Sequence, residues 1–291
     1  MVKSKSTKTG DIIIASICFI VILLCVLPLL HVLARSLSST QAIINRRVAF
    51  LPVDFSLESY KYVFRDPSFS RSLIWTAILT VICTLWSLAI TILCAYPLIY
   101  GWLKGKKLIN TLIIFTMYFS AGTIPNYILM KDLNLLNNPL VLIIPNCLSV
   151  FNMIILRSFF YSVPESLRES AELDGASPFV VLMRIYLPLS TAVLATLALF
   201  YAVGRWNGFS DALLYLTKAD WHPIQLKLFN LLRNISSIDI AMQEGVSGGP
   251  PPASDGMQAA AVMIATVPIL VVYPWLQRYF ITGVSLGAVK G

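Results

Sequence analysis

Four carboxylates, Glu165, Glu169, Glu172 and Asp174, crowd the polar stretch S-V-P-E-S-L-R-E-S-A-E-L-D-G-A-S-P-F-V-V-L-M-R-I-Y-L-P, residues 162–188 of this 291-residue chain. Paired acids can cleave a glycosidic bond, but that chemistry places the two carboxyls on opposite sides of a cleft-bound sugar. Here they share one loop segment between apolar runs, with no cleft-forming domain around it, so they read as contact residues. The other reactive side chains are no better assembled. His31 and His222 are far apart and form no H-E-x-x-H pair, and no G-x-x-x-x-G-K-[ST] phosphate loop occurs. Cys18, Cys25, Cys83, Cys94 and Cys147 fall inside apolar runs without a C-x-x-C spacing, which suits reduced packing residues. No catalytic residue, metal site or cofactor site is expected in this chain.

The elements that position this stretch read as helix, glycine hinge, helix. Ser162 and Glu165 have capping-box spacing, Pro164 suits a first helical turn, and Leu167 and Ala171 share one face. Gly175 falls where the first helix needs a left-handed terminator, and Ser177-Pro178 can cap and start a second helix leading to Leu187-Pro188. Two short helices held at both ends in membrane would make a rigid knob; the plain alternative is a solvated, well-capped loop.

Composition explains the membrane. With 57% hydrophobic and 12% charged residues and a mean hydropathy of +0.77, the chain is expected to be an all-α polytopic membrane protein, a single transmembrane domain over residues 1–291. Its net charge of +8 is explained by lipid headgroups and the inner-face charge bias, without nucleic acid. Six transmembrane helices are expected, at about 12–34, 72–103, 108–130, 139–161, 185–204 and 257–277. The first is an uncleaved span with Pro28 inside it and His31 as an interfacial residue near its outer end. Leu57–Phe64 is expected to form an amphipathic surface helix, and the alanines of the sixth span, Ala259, Ala260, Ala261 and Ala265, suit close helix approach. Lys3, Lys5 and Lys8 at the N-terminus, with Lys104, Lys106 and Lys107 in one tight turn, put both termini and the loop at 162–184 on the cytoplasmic side.

Polar or helix-breaking residues inside such spans must be satisfied by neighbouring helices or water. Gly122, Pro125, Asn126, Asn146, Asn152 and Asn207 are therefore candidates for a pathway wall, against plain helix packing. Arg205 lies about 25 Å across from Pro188 at ~1.5 Å per residue, close to the outer interface, where snorkelling or a helix-end role is expected of it. Residues 234–256 are read as an extended outer loop, since G-G-P-P-P combines mobility with stiffness and the segment is longer than a simple connection needs.

Several segments resemble a known family. Glu169-Ser170-Ala171, Asp174-Gly175-Ala176 and Ile185-Tyr186-Leu187-Pro188 are similar to the cytoplasmic EAA loop of permease subunits in bacterial ABC importers, with Ser170 where that family usually has Ala. Trp206-Asn207-x-Phe209 resembles the W-N-x-F segment of carbohydrate-import permeases. The end, Thr282 to Gly291, resembles the tail of maltose-importer (MalG-like) permeases, and the general texture is similar to permeases for complex polysaccharides and uronate oligosaccharides.

The resemblance implies a type I importer permease in the bacterial cytoplasmic membrane. It implies a second homologous permease, two ATP-binding subunits that hold ATP and Mg, an extracytoplasmic solute-binding protein, and a sugar or oligosaccharide as cargo. It assigns ATPase coupling to Glu165, Arg168, Glu169, Ser170, Ala171, Asp174, Gly175 and Ala176. ATPase contact in the tail at 282–291 falls to Gly287, Val289, Lys290 and Gly291. Contact with the binding protein falls to Gln243, Glu244, Gly245, Val246, Ser247, Gly248 and Gly249. In the maltose-type importers the sugar contacts come mainly from the partner permease, so this chain is expected to line the path without choosing the substrate. The alternative, a secondary transporter or channel subunit for small polar solutes, calls for buried acid or histidine relays or internal repeats, and the sequence has neither.

Overall fold

Apolar runs of this length have one low-cost conformation in lipid, the α-helix, because it satisfies every backbone N–H and C=O within the segment. The computed structural model describes residues 8–243 and 254–288; its regular structure is helical, with one isolated bridge between Ser38 and Phe55. Helix α1 (Lys8–Ser36) carries the first expected span with Pro28 inside it, and none of its apolar window is buried within the chain. The short α2 (Thr40–Ile44) and the amphipathic α3 (Glu58–Arg65) follow. Helix α4 (Pro67–Ala95) carries the second span and ends in a 3-10 turn, Pro97–Ile99, short of the expected limit at 103.

Three of the remaining spans differ from expectation. The stretch at 108–130 is two helices, α5 (Lys106–Tyr118) and α6 (Thr123–Asp132), bent by 114° at a break where Gly122 takes a φ of +91°. Gly tolerates that backbone where other residues would be strained. Pro125, as the third residue of α6, removes an N–H that has no partner in a first turn. The stretch at 139–161 is helical only as α7 (Val150–Phe160), because Pro139 and Pro145 turn the approach into a 3-10 turn and loop. At ~1.5 Å per residue α7 is roughly 16 Å long, too short to cross a bilayer by itself.

The knob contains α8 (Glu165–Leu173) and α9 (Pro178–Val181), which continues through a π turn, Leu182–Tyr186, into α10 (Leu187–Leu189). The cause is local: Pro188 has no N–H for the Arg184 carbonyl and crowds it, and the helix widens, with Leu187 N–H bonding instead to the Leu182 carbonyl. The chain then bends by 83° into α11 (Thr191–Asn207), so the fifth span is also a broken one. After α12 (Ser210–Tyr215), α13 (Ile224–Gln243) is helical through the first part of the expected outer loop, and α14 (Ser254–Ala288) extends the sixth span into the expected tail. Among the described residues three helices can cross a membrane by length and composition, or five when each bent pair counts as one span.

The chain forms two compact units, one taking in the chain to Ser70 with Leu228–Val267, the other Arg71–Lys227 and the chain from Pro268. In the first, Arg35 pairs with Asp255 and Ser36 Oγ meets Tyr60 Oη at 2.9 Å. Gly256 allows close packing there, since a Cβ would fall 2.7 Å from Ser59 Oγ and 2.9 Å from Ile43 Cδ1. Ala259, Ala260, Ala261 and Ala265 are buried as the small-residue pattern requires. His31 is tied to the Ala49 carbonyl through Nδ1 at 2.6 Å.

The second unit holds two hydrophobic clusters. One is built from Ala95–Tyr100, α7 and the knob, around Tyr96, Leu156, Phe160, Val181 and Tyr186. The other gathers Leu79, Cys83, Met130, Val141, Leu142, Ala212 and Leu226. Each carries one part of the candidate site.

Candidate functional site

On the first cluster stands the knob, and its backbone is closed at the hinge by its own hydrogen bonds. Gly175 has φ +81°, Gly175 N–H bonds to the Glu172 carbonyl at 3.0 Å, and Ala176 N–H reaches back to the Ala171 carbonyl at 2.9 Å. Those two bonds are a Schellman closure, with Ala171 and Ala176 both packed on the core below. Ser177 Oγ accepts from Val180 N–H at 3.4 Å and Pro178 opens α9, as the sequence predicts. The expected capping box does not form. Pro164 occupies the cap position of α8 without a side-chain bond, and Ser162 Oγ donates instead to the Phe159 carbonyl at 2.7 Å, back into α7. Ser162 lies two residues past α7, where the Phe159 carbonyl accepts its N–H at 2.9 Å and stands within reach of its hydroxyl too, and that nearer acceptor wins.

Aromatic rings join the knob to the end of α4. Tyr96 meets Tyr100 and Tyr186 edge to face at 5.3 Å and Phe160 at 6.3 Å. Its hydroxyl donates to the Pro178 carbonyl at 2.9 Å and lies 2.5 Å from that of Tyr100. Arg168 lies over the Tyr100 ring at 5.1 Å and pairs with Glu165 and Glu172 along α8. Glu165, Glu169, Ser170, Asp174 and Gly175 face outward, beside a Leu173 that is 88% exposed.

Two cavities adjoin the second cluster. The larger, about 780 Å³, is walled by α4, the 142–152 segment and the end of α11, and Asn146, Asn152 and Asn207 line it with Ser87, Ser149 and Tyr201. The smaller, about 540 Å³, is lined by Gly122, Asn126 and Asn146 among others. Of the candidate pathway residues only Pro125 is absent from both linings. Tyr201 Oη ties the wall together, meeting Thr91 Oγ1 at 2.7 Å and accepting from Ser149 N–H at 3.1 Å.

Arg205 corrects an expectation. It does not snorkel; it is 8% exposed and forks onto Asp211, with Nη1 to Oδ2 at 2.6 Å and Nη2 to Oδ1 at 3.0 Å. The helix-end role does hold, since Nη2 also donates to the Gly208 carbonyl at 3.2 Å, just beyond α11. Asp211 was not singled out by the sequence reading. A search for the counter-charge that an intramembrane cation requires finds it, as the nearest acid in the chain. Gly208 allows this geometry, since a Cβ there would stand 2.7 Å from Arg205 Nη2.

Of the residues assigned to binding-protein contact, Gln243 ends α13, and Glu244, Gly245, Val246, Ser247, Gly248 and Gly249 lie outside the described residues. In the tail Gly287 is helical, and Val289, Lys290 and Gly291 lie outside the described residues.

Two proteins of Bacillus subtilis (strain 168) are similar along nearly the whole chain. The polygalacturonan/rhamnogalacturonan transport system permease protein YtcP is 38% identical over 97% of this chain and 98% of its own. Protein LplC is 40% identical over 98% of this chain and 97% of its own. A chain in the crystal structure of a bacterial ABC transporter involved in the import of the acidic polysaccharide alginate is 30% identical, with a TM-score of 0.86 over 96% of this chain and 99% of that one. The family model described as "Binding-protein-dependent transport system inner membrane component" matches residues 12–286, a range that takes in the knob and both cavities. The chain belongs to that family of binding-protein-dependent transport system inner membrane components.

Proposed function

We propose that this chain is one of two permease subunits in an ATP-driven importer of oligosaccharides, and that residues 162–188 couple a separate ATPase to the sugar path. The observation that carries the reading is the knob. Its backbone is closed by its own hydrogen bonds and it stands on interlocked rings, while acids and a large apolar side chain point away from the chain. Supporting the cargo class are two of the similar proteins, one described as a polygalacturonan/rhamnogalacturonan transport system permease and one from a transporter involved in the import of the acidic polysaccharide alginate. ATP and Mg belong to the two ATP-binding partners. ATP closes those partners together, the knobs carry the closure into the helix bundle, and the path opens toward the docked, loaded binding protein.

In this reading the chain passes the membrane six times with both termini in the cytoplasm, the broken pairs α5–α6 and α10–α11 each making one pass and α7 with its approach another. Gln243–Gly249 reach the binding protein, and Gly287, Val289, Lys290 and Gly291 meet the ATPases. The cavities, lined by Gly122, Asn126, Asn146, Asn152 and Asn207, are this chain's part of the path. A cysteine-free variant with single cysteines at Lys106, Glu172 and Ser247 tests the topology. The first two should react only with a cytoplasmic probe and the third only with an external one; external labelling at position 172 overturns the reading.

A further inference from the structure

The two cavities share a wall. Asn146 and Asp211 line both, Asn146 Nδ2 donates to Asp211 Oδ2 at 3.4 Å, and Asp211 is clasped by Arg205. Among the residues lining either cavity, Arg205 and Asp211 are the ionised ones, so the wall carries no net charge. The terminal N–H groups of Arg205 are all engaged within the chain: Nη1 on Asp211 and on the Leu142 carbonyl at 3.2 Å, Nη2 on Asp211 and on the Gly208 carbonyl. A guanidinium used in this way has no fork left for another carboxylate. The neutral groups differ. Asn152 lines the larger cavity and is 5% exposed. Among the described residues its backbone N–H bonds to Ser149 Oγ at 3.3 Å and no hydrogen bond takes its side-chain amide. Phe151, Phe200 and Phe209 line the same cavity. Free amides beside aromatic rings suit the hydroxyls and C–H faces of a sugar ring, and both volumes lie within the roughly 300–1,000 Å³ of small-molecule sites.

Resting on the oligosaccharide-import reading above, we propose that Asp211 is a specificity-determining residue that cancels the charge of Arg205. The wall then engages a sugar through hydroxyls and ring faces and treats acidic and neutral oligosaccharides alike. The physical need is release. A path must bind its cargo weakly enough to let it leave, and a free buried guanidinium would hold each passing uronate.

The test uses the whole complex of permeases and ATPases in nanodiscs without binding protein, with a fluorescent galacturonic acid trimer and a galactose trimer of equal length as probes. The wild type should retain the two within about twofold of each other, with little response to added salt. Asp211→Asn should raise retention of the charged trimer about tenfold or more, in a salt-sensitive way, and leave the neutral trimer as it was. Arg205→Gln with Asp211→Asn should return the charged trimer to the wild-type level. An Asp211→Asn complex that shifts both probes equally marks the pair as a structural latch and overturns the proposal. A wild type that prefers the charged trimer, or retains neither, also overturns it, and that arm stands even if the single variant fails to assemble. Failure of the import reading itself is separate: it appears as a wild-type complex that, given ATP and its binding protein, takes up no oligosaccharide.

Discussion

The knob and the cavity wall belong to the same compact unit and are fastened in opposite ways. In the knob the hinge is closed backbone to backbone, at Gly175 and Ala176, with the Ser177 cap and the Tyr96 hydroxyl adding to it and the rings beneath packed on the core. At the cavities the chain leaves the helix over 143–149 and again at 208–209, so side chains must do the fastening. Arg205 alone bonds to three places, the Leu142 carbonyl, the Gly208 carbonyl and Asp211. A part that transmits displacement gains stiffness from bonds that most side chains leave unchanged. A part that on the proposed reading faces water and cargo can hold irregular backbone, and irregular backbone relies on a few side chains to satisfy it. Sensitivity to substitution should therefore be concentrated at single side chains in the wall and at the one left-handed position in the knob.

The largest effect is expected at the wall. Arg205→Leu leaves the half-buried Asp211 without its counter-charge and takes a donor from the Leu142 and Gly208 carbonyls, and loss of one partner of a buried pair costs about 3–5 kcal/mol, an upper figure for this one. The variant should melt well below the wild type in detergent, and Arg205→Met with Asp211→Leu should regain most of the loss. If the single and double variants melt alike, the pair does not fasten the wall. At the knob, Gly175→Val should cost about 1–3 kcal/mol through backbone strain alone. A Cβ there meets nothing within 4 Å, so crowding is not the cause. Gly175→Asn should lose far less, because Asn tolerates the left-handed region; equal losses would point to something other than φ. The smallest effect is Tyr96→Phe, which keeps the ring packing and removes the hydroxyl that serves the Pro178 carbonyl and meets that of Tyr100, a change of about 1–2 kcal/mol. A larger drop in melting temperature would mean that side chains, not backbone, fasten the knob.

What could be read in the sequence follows the same division. Gly175 and Ser177-Pro178 announce themselves because left-handed turns and helix starts admit few residue types, and Gly122 marks the break between α5 and α6 for the same reason. Composition located the apolar runs but not their interruptions. The 139–161 stretch is apolar enough for a span, and its two prolines confine the helix to α7. The capping box at Ser162 failed because a carbonyl of the preceding helix lay closer, which spacing alone cannot reveal. Asp211 was hidden by distance along the chain: six residues from Arg205, across a turn at Gly208, it matches neither helical spacing. The six Asn, Gly and Pro pathway candidates, chosen only because polar or broken positions in lipid need a reason, converge on the two cavities with one exception.

The central claim is that the knob passes ATPase closure to the sugar path. It is tested most directly in proteoliposomes holding the whole complex, with ATP inside, the loaded binding protein outside, and both ATP hydrolysis and uptake of labelled oligosaccharide followed. The account predicts that Gly175→Val assembles with its partners yet loses binding-protein-stimulated hydrolysis and uptake together by about tenfold or more, while Gly175→Asn retains most of both. An assembled Gly175→Val complex that hydrolyses ATP and imports sugar at wild-type rates would contradict it.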